Sequence, residues 1–248
     1  MIDVALTPAD LRATGTIVVI DALRATSTIV QALAGGCRAV LCCSSYEQAA
    51  ALRGRHRVLA GEVGCLPPAG FDLGNSPRDV GQARGRELVL ATTNGTRTIV
   101  AAAATGADVR LGALLNLDAL VGSLSGELLL ACAGAEGRPS VEDAYVAGVI
   151  AERLSGPRSD TARIAQAAAA GACSALSAFS SGDAARRLVG AGLGADVAWC
   201  ARASVLDVVP RVVEVDDGVA VVAAHAPALA GRHRPGAVRP GQVTKWPA

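Results

Sequence analysis

Apolar runs alternate with segments of helical periodicity along most of the chain. The continuous apolar runs predict buried strands at 16–21, 38–42, 57–60, 87–91, 108–111 and 127–131. The segments between them predict helices beginning at Pro77 and spanning 27–34, 45–53, 96–104, 115–123 and 140–154. Strands that are apolar on both faces and separated by helices indicate an α/β layer structure whose sheet is covered on both sides.

The pattern changes in the last third of the chain. Residues 160–202 are helical in pattern and rich in alanine, and two runs of strand character follow at 208–215 and 219–224. Asp216-Asp217-Gly218 joins these two runs, and Asp-Gly in such a position is a strong hairpin signal. Because a hairpin adds antiparallel strands, the sheet is predicted to be mostly parallel but mixed.

No linker or internal repeat divides the chain. With 248 residues, of which 51% are hydrophobic, it can bury one sizeable core. We therefore predict a single α/β domain over residues 1–226. The remaining residues, 227–248, are rich in Pro, Gly and Arg and lack periodicity, so we expect a loosely ordered tail or one that lies over the surface.

Composition narrows the class of partner. Aromatic residues make up only 2% of the chain, so it offers few platforms on which nucleobases could stack. The net charge of +1 provides no field that would attract nucleic acid or a membrane surface. We therefore expect a small-molecule ligand. For the assembly we expect a compact homodimer. Lys245 is the only lysine, so a cation that binds an anionic ligand must be an arginine.

The cysteines and the N-terminus bear on location. Seven cysteines are scattered along the chain without a Cys-x-x-Cys pair, which argues against a disulfide framework or a zinc site and favours reduced thiols. The first ten residues carry Asp3 and Asp10 but no basic residue, unlike a signal peptide. No apolar run is long enough to span a bilayer. These features predict a cytoplasmic protein.

Polar residues cluster at junctions between a strand and the following helix, where ligands bind in open α/β sheets. At the first junction Asp21 ends a strand, Arg24 follows one turn later, and Thr26, Ser27 and Thr28 open a helix. The helix N–H groups and Arg24 suit an anion, and Asp21 could hold Mg²⁺ against it. The structural alternative is a helix cap from Thr26 or Ser27 and a salt bridge between Asp21 and Arg24.

The second junction follows the strand at 87–91. It reads Thr92-Thr93-Asn94-Gly95-Thr96, in which Asn-Gly provides the backbone freedom for a sharp turn. Hydroxyl and amide groups would again face one point and could bind a phosphate. An ordinary turn capped by Thr96 is the alternative interpretation, and this motif alone is weak.

The third junction follows the strand at 127–131. Glu136 lies in a glycine-flanked loop between Gly134 and Arg138, which makes it a candidate metal ligand or general acid–base. Ser140 to Asp143 matches a capping box, which would give Asp143 a purely structural role.

Two shorter stretches belong with these junctions. Glu62 adds a carboxylate after another short strand. Asn75 and Ser76 lie in a polar turn before Pro77, where Asn75 could bind a ligand and Ser76 is expected to cap the next helix.

Taken together, these segments resemble the 2-phosphosulfolactate phosphatase family. The likeness keeps the family's order of motifs and covers most of the chain. It lies in VVIDALRATSTIVQAL (18–33), AGE (60–62), GFDLGNSP (70–77), TTNGTR (92–97), GALLN (112–116), CAGAEGRPSVEDAYVAG (132–148) and DVAWCARASVLDVVP (196–210). Two departures stand out: the family often has a basic residue where this chain has Val63, and many members have His-Gly before the helix at 185–189, where this chain has no His.

The resemblance implies a three-layer α/β/α fold and Mg²⁺-dependent hydrolysis of 2-phospho-3-sulfolactate to sulfolactate and phosphate, a step in coenzyme M biosynthesis. Because of the two departures, a close phosphorylated hydroxy acid is also considered as substrate. In this hypothesis some of Asp21, Glu62, Glu136 and Asp143 hold Mg²⁺, and Asp21, Arg24 and Glu136 are catalytic. The substrate-binding candidates are Thr26, Ser27, Thr28, Asn75, Thr93, Asn94, Gly95, Thr96, Gly134 and Arg138.

Two other chemistries fit parts of the same pattern. Cys132 and Arg138 have the C-x5-R spacing of cysteine-dependent phosphatases, although Glu136 would place a negative charge inside the phosphate cradle. The Asp-x-Asp-x-Thr signature of aspartyl-phosphate enzymes is absent, because Ala22 and Leu23 follow Asp21. A non-catalytic protein that binds a small anion is the remaining alternative, and the several carboxylates argue against it unless a metal intervenes.

Overall fold

The structure of the protein is a computed structural model that describes residues 1–224. Its strands are β1 (Ile2–Ala5), β2 (Thr16–Ile20), β3 (Ala39–Cys43), β4 (Arg57–Gly61), β5 (Glu87–Ala91), β6 (Asp108–Gly112), β7 (Leu128–Cys132), β8 (Arg211–Asp216) and β9 (Val219–Ala223). Its α-helices are α1 (Ala25–Ala34), α2 (Tyr46–Ala51), α3 (Gly95–Ala104), α4 (Leu117–Ser123), α5 (Val141–Arg153), α6 (Asp160–Ala170), α7 (Ala175–Ser181), α8 (Asp183–Gly190) and α9 (Gly194–Cys200). The predicted tail at 227–248 lies outside the described residues.

All the strands join in one sheet of order β1-β7-β2-β6-β8-β9-β3-β5-β4. Neighbours within β1-β7-β2-β6 are parallel, and so are neighbours within β3-β5-β4. The hairpin β8–β9 lies between these two groups and pairs antiparallel with β6 on one side and with β3 on the other. The predicted hairpin and the predicted mixed sheet are therefore both confirmed.

Alternate side chains of the central strands face two different cores, as the two-residue period of a strand requires. Val19 lies in one core with Ile29 of α1 and Ile99 of α3, whereas its neighbour Ile20 lies in another core with Phe179 of α7. Helices α1 and α3 thus cover one face, and α4 to α9 cover the opposite face of β1-β7-β2-β6. The second parallel group is covered on its outer face by α2. The three-layer α/β/α prediction is confirmed.

The sheet curls strongly around α1 and α3. In the sheet order β2 and β4 are six positions apart, which in a flat sheet would separate them by about 29 Å at the usual spacing of neighbouring strands. Nevertheless Arg24, four residues beyond β2, lies 2.6 Å from Glu62, which follows β4 directly. This curvature brings the carboxyl ends of β2, β4, β5 and β7 around one space.

Sequence reasoning missed some local structure. It did not predict β1, because four residues that include Asp3 give a weak strand signal; Asp3 is nevertheless buried, with hydrogen bonds from Thr161 and Ser159. The predicted helix at Pro77 is wrong: a turn leads there into the short 3-10 helix Val80–Ala83. No helix within residues 1–224 is long and apolar enough to cross a membrane.

Candidate active site

The loops that follow β2, β4, β5 and β7 line one cavity of about 190 Å³, together with one side of α8. Five of the lining side chains are acidic, namely Asp21, Glu62, Glu136, Glu142 and Asp143. Two are arginines, Arg24 and Arg187. The other lining residues are Leu23, Gly64, Cys65, Asn75, Thr92, Thr93, Asn94, Gly134, Ala135, Ser140, Ala184 and Leu188.

Asp21 lines this cavity directly after β2. The backbone N–H of Ala25, in the first turn of α1, donates to Oδ1 of Asp21 over 3.1 Å. Gly95 starts α3 on the other side, where a Cβ would overlap Oδ2 of Asp21, so only glycine permits this approach. Burial, followed by the charges of Asp143 and Glu62, raises the pKa of Asp21 well above its usual value. An ionised Asp21 is therefore unfavourable here unless a cation is close.

Asp143 connects two of the loops. Its Oδ1 accepts from the N–H of Ala22 (2.8 Å) and its Oδ2 from the N–H of Gly134 (3.0 Å). Burial raises the pKa of Asp143 to about 6, against the lowering effect of these two amides. The predicted capping box is wrong, because Ser140 makes no side-chain cap and Asp143 bonds to other loops instead. Asp143, which the sequence predicted to cap its own helix, thus connects the loops that follow β2 and β7 at the cavity.

Glu142 is an acidic cavity residue that was not among the predicted site residues. Its side chain is buried in the first turn of α5, and its Oε2 has no hydrogen-bond partner within the described residues. Burial, followed by the charge of Asp143, raises the pKa of Glu142 to about 7. The available signal was a glutamate beside Asp143 at the start of a helix after β7. It was overlooked because residues 140–143 were interpreted as a capping box.

Arg24 is tied into a buried ion network and does not project freely into the cavity. Its Nη1 donates to Asp196 (2.8 Å), and its Nη2 donates to Glu62 (2.6 Å) and to the carbonyl of Cys65 (3.1 Å). Burial lowers the pKa of Arg24, but Glu62 and Asp196 more than offset this and leave it raised. Both terminal nitrogens bond to carboxylates, and the alternative salt bridge with Asp21 is not formed; the contact of Arg24 with a phosphate stays a prediction.

Hydroxyl residues predicted to bind the substrate are instead used inside the protein. Thr26 donates to the carbonyl of Gly112, Ser27 to that of Ala22, and Thr28 to that of Asn75. Thr96 exchanges hydrogen bonds with Thr92, four residues earlier. These four hydroxyls are fully buried and do not line the cavity, because short side chains at a helix start readily bond to nearby backbone groups.

The remaining predicted residues fall into two groups. Thr93, Asn94, Asn75, Gly134 and Glu136 line the cavity, and Glu136 does so from a left-handed backbone conformation with φ of +53°. Gly95 lies against Asp21 but does not itself line the cavity. Arg138 is exposed and does not line the cavity.

Buried polar atoms without a partner concentrate at this cavity. Within the described residues every such side-chain atom belongs to a cavity-lining residue, among them Nε of Arg24, Oδ1 of Asn75 and Oε2 of Glu142. Buried polar groups are normally satisfied, so this concentration indicates a binding site for a polar ligand.

The cavity residues could supply only some of the ligands of a divalent cation. No three His, Cys, Asp or Glu side chains in residues 1–224 are grouped so that they alone could hold a metal ion. Mg²⁺, however, commonly takes one or two carboxylates and fills its other positions with phosphate oxygens and waters. Oδ2 of Asp21 and the carboxylate of Glu136 accept no hydrogen bond from the part of the chain that the structure describes, so both remain available.

Cys132 does not have the surroundings of a nucleophile. It is the last residue of β7, is 1% exposed, and does not line the cavity. Burial and the charges of Asp143 and Glu142 raise the pKa of its thiol well above the usual value, so the thiol stays protonated.

The strand-end loops, the carboxylates and the unpartnered polar atoms define an enzyme site for a small polar substrate in an α/β protein. The sequence profile of the 2-phosphosulpholactate phosphatase family matches residues 2–215, and the chain belongs to this family. The chain is accordingly a phosphoric monoester hydrolase.

Relatives from several bacteria share most of the chain. A probable 2-phosphosulfolactate phosphatase of Thermus thermophilus is 41% identical over 204 residues, covering 78% of this chain and 86% of the relative. One from Deinococcus radiodurans is 40% identical over 211 residues, covering 80% and 88%. A more distant one, from Carboxydothermus hydrogenoformans, is 32% identical over 205 residues, covering 79% and 85%.

Proposed function

We propose that this phosphatase depends on Mg²⁺ and hydrolyses 2-phospho-3-sulfolactate, or a close phosphorylated hydroxy acid, to the hydroxy acid and phosphate. The observation that carries the proposal is the acidic cavity itself. A phosphate dianion would be repelled by these carboxylates, among them Asp21, whose pKa is raised by burial and then by the charges of Asp143 and Glu62. A divalent cation removes this conflict, and the names of the relatives support the substrate. We place the reaction in the cytoplasm and, by the family resemblance, in coenzyme M biosynthesis.

The chain's own groups would divide the work. Asp21 and Glu136 would hold Mg²⁺, and Asp143 and Glu62 line the same cavity. When bound, the ion would supply Lewis-acid polarisation of the phosphoryl group. Thr93 and Asn94, at the start of α3, would orient the phosphoryl oxygens, and the helix N-terminus would favour their charge. Asn75 donates through its amide nitrogen to Glu62, so its unpartnered Oδ1 would accept a hydrogen bond from a protonated phosphoryl oxygen or from a bound water.

Removal of the metal is the direct test. We expect the purified protein to release phosphate from 2-phospho-3-sulfolactate in the presence of Mg²⁺. Treatment with EDTA should lower the rate at least about 100-fold, since metal catalysis contributes several kcal/mol. Adding excess Mg²⁺ should restore the rate.

Two results would contradict the proposal. Full activity in EDTA would exclude the metal, and a failure to release phosphate from any phosphorylated hydroxy acid would exclude the substrate class. The same assay distinguishes an enzyme from a protein that only binds small anions.

The cysteine mechanism predicts a different outcome for one variant. Because the Cys132 thiol is buried and protonated, we expect Cys132→Ser to keep kcat within about twofold once the folded fraction is taken into account. Cys42→Ser is the matched control, since Cys42 is also buried in a strand but lies far along the sheet in β3. Loss of turnover in the Cys132 variant alone, with an unchanged melting curve, would restore the thiolate mechanism.

A further inference from the structure

Among residues 1–224, Arg187 is the exposed arginine that lines the cavity. Arg24 is only 1% exposed, and Glu62 and Asp196 occupy its terminal nitrogens. Arg187 is the other cavity-lining arginine; it is exposed and makes no ion pair or hydrogen bond through its side chain within residues 1–224. An anionic group that enters beside five carboxylates therefore has Arg187 as its available counter-charge.

The position of Arg187 on α8 directs it to the cavity, unlike the neighbouring Arg186. Its helix neighbours Ala184 and Leu188, three residues before and one residue after it, also line the cavity. The adjacent Arg186 points elsewhere, because it donates to the carbonyl of Ser181 and forms an ion pair with Asp183. Since successive helix residues are about 100° apart, two consecutive arginines have different surroundings.

Substrates that fit the proposed function carry a second anionic group besides the phosphoryl group. The proposed function puts the phosphoryl end near Asp21 and the start of α3, which leaves Arg187, an exposed lining residue from another element, for the rest of the molecule. A guanidinium offers two parallel N–H groups that match two oxygens of a carboxylate or a sulfonate. Without such a partner, the second anion would meet the carboxylates of Glu142 and Glu136, which line the same cavity.

We propose that Arg187 is a specificity-determining residue that binds the carboxylate or sulfonate of the substrate, at the end remote from the phosphoryl group. This inference rests on the proposed function, because it presupposes a phosphate ester in the cavity. It assigns substrate choice to a residue that takes no part in holding the metal or in cleaving the ester bond.

The test compares Arg187→Gln with wild type on four esters in Mg²⁺. These are 2-phospho-3-sulfolactate, 2-phospholactate (carboxylate only), 2-phosphooxyethanesulfonate (sulfonate only) and ethyl phosphate (neither). We expect kcat/KM to fall about 10- to 100-fold, mainly through KM, for esters that carry the recognised anion, the usual effect of losing a charge-assisted hydrogen bond. For ethyl phosphate the value should stay within about twofold.

The two single-anion esters identify the group that Arg187 binds, because only one of them should respond if one group is recognised. Arg186→Gln is the matched control and should match wild type on all four esters. A readout without turnover is the rise in Tm caused by the product sulfolactate, which should be smaller for Arg187→Gln than for wild type and for Arg186→Gln.

The possible failures are distinct. Equal values for wild type and Arg187→Gln on every ester would overturn the inference and leave the proposed function standing. An equal loss on all four, ethyl phosphate included, would show that Arg187 acts on the phosphoryl group or on the fold, and would overturn it too. If wild type hydrolyses none of the esters and sulfolactate does not raise its Tm, both proposals fall.

Discussion

Asp21→Asn is expected to abolish phosphate release while making the metal-free protein more stable. The asparagine amide has the shape of the carboxylate but carries no charge to bind Mg²⁺. Because metal catalysis contributes several kcal/mol, kcat should fall at least about 100-fold. Asp21 accepts the N–H of Ala25 through Oδ1, and the amide oxygen of Asn can do the same, so the fold should persist.

The gain in stability follows from the raised pKa of Asp21. A carboxyl whose pKa is higher in the folded than in the unfolded protein destabilises the fold as the pH rises from its ordinary value through the folded one. At pH 7 this penalty is present in wild type and absent in Asp21→Asn. One pKa unit corresponds to about 1.4 kcal/mol, so we expect Tm to rise by a few degrees or more in EDTA. The difference should shrink as the pH falls toward 4.

Mg²⁺ should reverse this order of stability. It should raise the Tm of wild type, because an ion that binds only the folded state stabilises it, and should raise that of Asp21→Asn much less. Asp207→Asn, which removes an exposed carboxylate outside the cavity, is the control and should follow wild type in both measurements. Turnover near the wild-type rate in Asp21→Asn would remove Asp21 from the mechanism.

The sequence predicted the location of the site better than the duties of its residues. Apolar runs end at 21, 60, 91 and 131, and parallel strands place their carboxyl ends on one edge of a sheet. The sequence alone therefore grouped the loops that carry Asp21, Glu62, Asn94 and Glu136. The hairpin signal at Asp217-Gly218 similarly predicted the mixed sheet. These predictions rest on local periodicity, which a sequence records directly.

Side-chain direction depends on contacts that are distant in sequence. Arg24 is bound by Asp196, 172 positions away, and Asp143 bonds to Ala22, 121 positions away. Local rules accordingly predicted that Asp143 caps its helix and that the hydroxyls of α1 bind a ligand. In the structure Asp143 bonds to two other loops, and these hydroxyls bond to backbone carbonyls. Arg187 could not be identified either, because its helix reaches the cavity only through the packing of α7, α8 and α9 on the outer face of the sheet.

Arg24→Met is expected to lower the free energy of unfolding by about 3–5 kcal/mol, the usual cost of removing one partner of a buried ion pair. The variant would leave Asp196, which is 0% exposed, with only the more distant Arg78 (4.0 Å) as a counter-charge, and Glu62 without its shortest contact. For a chain of this size that loss corresponds to a decrease in Tm of about 6–20 °C. Activity should fall as well, because Glu62 lines the cavity and its carboxylate would be held only by the amide of Asn75. Thermal and urea unfolding measure the first effect, and phosphate release the second.

A second substitution shows whether charge causes this loss. Asp196→Asn should destabilise wild type, where it removes a partner of Arg24. It should stabilise Arg24→Met, where it removes a buried charge whose remaining cation, Arg78, lies 4.0 Å away; its bond from Ser76 can persist in both. Arg153→Met is the control for an exposed pair, since it separates Arg153 from Asp118 and should cost at most about 1 kcal/mol. If Asp196→Asn has the same effect on unfolding in both backgrounds, the network around Arg24 is not coupled, and Arg24 contributes only packing.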